Sequence, residues 1–129
     1  TGTFFLFHPN GETLITNAGH LPILCLRPST GDILEIAKMG PPMGLMEDFE
    51  YPVKRLNTQP GDRLLVYSDG LMETNNVEKE QFSLARIKEL FLQHSKNSTE
   101  EFLADLVQQF ETWAAEYRDD VSAIVLEVP

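Results

Sequence analysis

The hydrophobic period of this chain changes once, near residue 75, and that change restricts the folds open to it. Before it, short apolar runs are cut at close intervals by turn residues. After it, apolar residues recur at helical spacing, and a last apolar run closes the chain. Strands, then helices, then one late strand is the order of an α+β domain whose last strand returns to an existing sheet.

The β part reads as follows. The run TFFLFH (3–8) is followed by Pro9-Asn10-Gly11, a hairpin signal, and answered by ETLITNAG (12–19). LPILCLRP (21–28) and ILEIA (33–37) flank the turn residues Ser29-Thr30-Gly31-Asp32. These four strands are expected to form a meander of antiparallel neighbours. Residues 38–50 hold two Gly and two Pro and read as a loop. Residues 51–59 are expected to be a half-buried strand with Val53 and Leu56 inward. After the turn Pro60-Gly61-Asp62, RLLVYS (63–68) is continuously apolar, the pattern of a strand covered on both faces.

In the second part, Leu84, Ile87, Leu90 and Phe91 fall at helical spacing. Ser98 and Glu101 then make a capping box: the Ser98 hydroxyl accepts the Glu101 amide, and the Glu101 carboxylate reaches back. The helix opened there is expected to run to Arg118. Its face of Phe102, Leu103, Leu106, Val107, Phe110, Trp113, Ala114 and Tyr117 is expected to pack on a sheet. VSAIVLEV (121–128) is the closing strand, apolar on both faces.

Composition narrows the function. The 129 residues are one domain's worth of chain. A net charge of −10 argues against nucleic acid or anionic lipid as the main partner. No apolar run approaches a membrane span, and no signal-peptide pattern opens the chain. Cys25 is the only cysteine, so neither an internal disulfide nor a thiolate metal cage is available, and a cytoplasmic location is expected. The chain opens on Thr and is strand-like from its first residues, as expected of a piece that begins inside a domain.

Two carboxylates stand at telling places. Asp69 follows one fully apolar strand and Asp119 precedes another. If those strands are antiparallel neighbours, both aspartates meet at one sheet edge. Like charges there oppose each other unless a cation or proton is shared, and a helix C-terminus just before Asp119 would disfavour an anion further. A hard divalent cation relieves both, and all-oxygen ligands suit Mg2+ or Mn2+ better than Zn2+. The plain alternative is that Asp69-Gly70 is a turn and Asp119-Asp120 a solvated helix exit beside Arg118. His20, in NAGHLP, sits between strands and reads as a structural hydrogen-bonder before a catalytic base. There is no P-loop and no G-x-S-x-G nucleophile.

The order NAGHLP (17–22), GPPMGL (40–45), PGDRLLVYSDGLMET (60–74) and RDDVSAIVLEV (118–128) resembles the C-terminal half of PPM-type metal-dependent Ser/Thr protein phosphatases, in the bacterial branch typified by the stage II sporulation phosphatase. The resemblance covers essentially the whole chain. It implies two antiparallel sheets sandwiched between helical layers. It implies Asp69 and Asp119 as metal ligands, Gly70 as the point of close backbone approach, and Asp120 as a hydrogen-bonding support for Asp119. Glu73 matches an acidic position beside the metals, and Asn17, Gly19 and His20 match a structural or regulatory turn. The implied chemistry is hydrolysis by two Mn2+ or Mg2+ ions acting on a water, with phosphoserine or phosphothreonine of a partner protein, such as an anti-sigma-factor antagonist, as substrate.

The family's upstream D-x-S-G-H-G-like motif has no equivalent in residues 1–129. The chain is therefore expected to be the C-terminal part of the domain. Alone, it should bind metal weakly and turn over little. Its open sheet edges should be covered by a domain swap or a second copy. The rival expectation is a non-catalytic phosphatase-like module used for protein binding.

Overall fold

A computed structural model of the chain describes every residue except Arg118. Among the described residues, seven strands and three helices run in the order β1 (Gly2–Phe7), β2 (Glu12–Ala18), β3 (Ile23–Arg27), β4 (Asp32–Ile36), β5 (Lys54–Asn57), β6 (Arg63–Tyr67), α1 (Asp69–Glu73), α2 (Leu84–Gln93), α3 (Thr99–Trp113) and β7 (Ala123–Glu127). They make an antiparallel sandwich of a three-stranded sheet, β1-β2-β5, and a four-stranded sheet, β4-β3-β6-β7. The α+β expectation holds.

The single meander does not. β1 and β2 form the expected hairpin, and so do β3 and β4, but β2 and β3 lie in different sheets. Each is already paired along both edges, β2 by β1 and β5, β3 by β4 and β6. The crossing is made by the turn after β2. Asn17, fully buried, accepts the His20 amide at 2.8 Å through Oδ1 and donates to the Leu21 carbonyl at 3.1 Å through Nδ2. Gly19 supplies φ +70°, a left-handed conformation that glycine adopts without cost.

Two cores follow from the alternation of side chains along β3 and β6. Ile23, Cys25 and Leu64 point between the sheets, against Ile15, Ile36, Phe5 and Leu56. Leu24, Leu26, Leu65 and Tyr67 point the other way, beneath Ile87 and Phe91 of α2 and Phe102, Leu106 and Phe110 of α3. This explains why both strands read as unbroken apolar runs: each face is covered by a different layer. A fully buried Leu contributes about 1.5–3 kcal/mol.

Three further expectations need correction. Val53 precedes β5 and is 57% exposed, whereas Leu56 packs inward. Residues three apart on a strand face opposite ways, so both could not point to the core. α3 stops at Trp113, with Ala114 in extended conformation (φ −66°, ψ 120°), and its expected end, Arg118, lies outside the described residues. Val107 and Tyr117 of the expected buried stripe are exposed, although the Tyr117 ring stands 5.7 Å from that of Phe110. The short helix α1, carrying Asp69 in its first turn, was not expected at all. Phe4 and Leu6, 56% and 55% exposed, lie on the outer face of the three-stranded sheet. Among the described residues no helix is long and apolar enough to cross a membrane.

Candidate metal centre

β6 and β7 are antiparallel neighbours, paired from Arg63↔Glu127 to Tyr67↔Ala123. The exit of β6 therefore lies beside the entry of β7, and Asp69 and Asp119 come to the same end of the sandwich. Both line one cavity of about 290 Å3, together with Gly70, Glu73, Thr74, Asn75 and Gln81. Both aspartates are exposed.

The chains meet closely. Ser68 donates its amide to the Ser122 carbonyl at 2.9 Å. Its hydroxyl donates to the Asp120 carbonyl at 3.0 Å and accepts the Ser122 amide at 2.9 Å. Gly70 is buried, and a Cβ there would stand 2.4 Å from the Asp120 carbonyl oxygen and 3.3 Å from that of Asp119. No side chain fits at this position.

The two aspartates are held alike. Asp69 Oδ1 accepts the Gly70 amide at 3.0 Å, and Asp119 Oδ1 accepts the Asp120 amide at 2.7 Å. So Asp120 supports Asp119 through its main chain. Each Oδ2 takes no hydrogen bond from a described residue. α3 ends well before Asp119, so the helix terminus is not the charge that bears on it.

Oxygen donors on a shared wall, each with one uncommitted carboxylate oxygen, fit a hard divalent ion. They are a partial ligand set. Among the described residues no three His, Cys, Asp or Glu side chains converge as a metal would need.

Asn17, Gly19 and His20 lie at the same end, because the start of β3 pairs beside the end of β6 (Leu24↔Leu65). No described hydrogen bond joins them to Asp69 or Asp119. Their contacts serve the crossover: a Cβ on Gly19 would stand 2.6 Å from the Pro42 nitrogen, and His20 Nδ1 lies 3.4 Å from Thr1 Oγ1. His20 Nε2 is buried without a described partner.

Four residues of the site escaped the sequence reading. Ser68 is one. Thr74, 2% exposed, donates its hydroxyl to the Gly70 carbonyl at 2.7 Å and closes α1, a contact its spacing four residues after Gly70 could have signalled. Asn75 and Gln81 are joined by an isolated antiparallel bridge, for which no local signal exists. Two residues before Asp69, burial pushes the Tyr67 phenol up to about 12, and its hydroxyl finds no described partner.

A family model described as stage II sporulation protein E (SpoIIE) matches residues 1–129. Protein IcfG of Synechocystis sp. is 30% identical over 100 residues, which cover 78% of this chain and 15% of that protein. Among solved structures, the RsbU and RsbW domains of Rv1364c from Mycobacterium tuberculosis match with TM-score 0.74 and 23% identity, over 92% of this chain and 33% of that one. The phosphatase domain of the cell fate determinant SpoIIE from Bacillus subtilis, in a Mn-presoaked form, matches with TM-score 0.72 and 16% identity, over 99% of this chain and 56% of that one. The chain thus spans about a seventh of its curated relative and a third to just over a half of these solved chains.

Proposed function

This chain belongs to the stage II sporulation protein E family, and from that membership we propose that it is the C-terminal part of a phosphatase domain that hydrolyses phosphoserine or phosphothreonine on a partner protein with Mn2+ or Mg2+. The observation that carries this is the pairing of Asp69 and Asp119 on one cavity, each with Oδ1 tied to the next amide and Oδ2 uncommitted.

In this reading Asp69 and Asp119 hold metal through Oδ2. The Gly70 and Asp120 amides keep each carboxylate in one orientation. Glu73 adds negative charge to the same wall. When bound there, Mn2+ or Mg2+ would supply Lewis-acid activation of water and charge neutralisation at a phosphoryl group. Asn17, Gly19 and His20 fix the crossover that sets β3 beside β6. The remaining ligands belong to the rest of the domain, and the outer face bearing Phe4 and Leu6 is where that remainder packs. In this reading the substrate is an anti-sigma-factor antagonist, the kind the family resemblance implies, and the single cysteine fits a cytoplasmic site of action.

One observation favours a second reading, a non-catalytic phosphatase-like binding module: each aspartate already serves a local turn, its Oδ1 bound to the next amide. Release of phosphate from a phosphoserine peptide by the complete parent protein separates the two. The phosphatase reading expects release that needs Mn2+ or Mg2+, stops with a chelator, and is lost in Asp69→Asn. A parent protein that releases none with either metal contradicts it.

A further inference from the structure

The geometry points to Ser68 as a positioning residue that sets the separation of the two candidate metal-ligating aspartates, an assignment that rests on the metal reading above. Asp69 and Asp119 are fifty residues apart in sequence and enter from different strands. The ladder between β6 and β7 ends at Tyr67↔Ala123, so regular strand pairing does not reach either aspartate. What continues it is Ser68. The main-chain bond from its amide to the Ser122 carbonyl extends the pairing by one step (2.9 Å). Its hydroxyl then closes a fork, accepting the Ser122 amide at 2.9 Å and donating to the Asp120 carbonyl at 3.0 Å.

The fork acts on both ligands through very short lever arms. Ser68 is bonded covalently to Asp69. On the far side it holds the carbonyl of Asp120, whose own amide holds Asp119 Oδ1 at 2.7 Å. It also presses the 119–120 backbone onto Gly70, where the carbonyl of Asp120 leaves no room for a Cβ. A hydroxyl is the smallest group that both donates and accepts here. Alanine would leave the Ser122 amide and the Asp120 carbonyl without this partner. It would leave the strand ladder and both cores untouched. Loss of a group that orients metal ligands typically lowers metal affinity by about 10–100-fold.

Two measurements on the complete parent protein test the assignment, one with metal and one without. In isothermal titration with MnCl2, Ser68→Ala should bind at least tenfold more weakly than wild type, with an unchanged thermal midpoint, and Ser68→Thr, which keeps the hydroxyl, should restore binding. Equal Mn2+ affinity in wild type and Ser68→Ala overturns the assignment, as does a loss that Ser68→Thr fails to restore. In metal-free hydrogen exchange, Ser68→Ala should speed exchange of the Ser122 amide at least tenfold. An unchanged Ser122 amide overturns the fork whatever the titration gives. Wild type that takes up no Mn2+ while the exchange result holds defeats the metal reading and the positioning role together, and leaves Ser68 as a structural clamp only.

Discussion

A Cβ built on Gly70 would stand 2.4 Å from the carbonyl oxygen of Asp120, so the only side chain this position accepts is none. Within a helix, Gly→Ala ordinarily stabilises by roughly 0.5–1 kcal/mol. Here the sign should reverse. The obstacle is main chain, which cannot swing away, and overpacking of this kind costs about 1–3 kcal/mol. Gly70→Ala should lower the urea midpoint without changing the slope. A midpoint at or above wild type would show that the 119–120 segment is free to move off α1.

Tyr67 should gain from losing its hydroxyl. It is 2% exposed, and its hydroxyl has no described partner. An unpaired buried polar group costs about 1–3 kcal/mol, so Tyr67→Phe should be neutral or more stable than wild type. The pH dependence follows the same logic. Burial raises the folded phenol to about 12, above its unfolded value. The stability tied to the neutral form is therefore whole below about pH 10 and is lost as pH rises toward the folded value. Unfolding followed from neutral to alkaline pH should lose less stability in Tyr67→Phe; parallel curves for the two proteins would refute this.

The capping box of α3 makes a pH prediction of opposite sign. The Ser98 amide bonds the Glu101 carboxylate at 2.9 Å and holds it below the usual carboxylate range. A depressed folded value means that the contribution is present above the unfolded value, about 4.3, and is lost as pH falls through the folded one. Glu101→Gln should flatten the acid limb of the stability curve, matching wild type at low pH and falling below it near pH 7. An acid limb as steep as that of wild type would remove Glu101 from the cause.

The buried acid of the turn before β6 is a separate matter. Asp62 is 2% exposed and accepts from Arg27 Nη2 at 2.8 Å and from the Gln59 amide at 3.0 Å. Breaking a fully buried pair costs roughly 3–5 kcal/mol. The Arg27 side chain is 33% exposed and can rehydrate, which lowers the cost. Asp62→Ala should therefore destabilise by about 2 kcal/mol in denaturant unfolding, and a change below about 0.5 kcal/mol, the scale of a surface substitution, would contradict this.

Local chemistry made much of this structure legible from sequence. The capping box at Ser98 and the hairpin at Asn10-Gly11 depend on residues a few positions apart, and both are present. Asp69 and Asp119 were brought together by one non-local inference, the pairing of two unbroken apolar runs, and that pairing is present. What failed was set by distant contacts. Whether β3 joins β2 depends on which strands already occupy their edges, and β5 and β6 come later in the chain. α1 has five residues and contains a glycine, too short for any period to show. Ser68 looks like any turn serine until Ser122 stands opposite it.

Whether Asp69 and Asp119 serve one metal centre is decided by the Mn2+ affinity of the complete parent protein beside its Asp69→Asn and Asp119→Asn variants. Each substitution is expected to weaken binding at least tenfold, about 1.4 kcal/mol, with the fold intact by circular dichroism. Wild-type affinity in either variant would separate the two aspartates and contradict the shared centre.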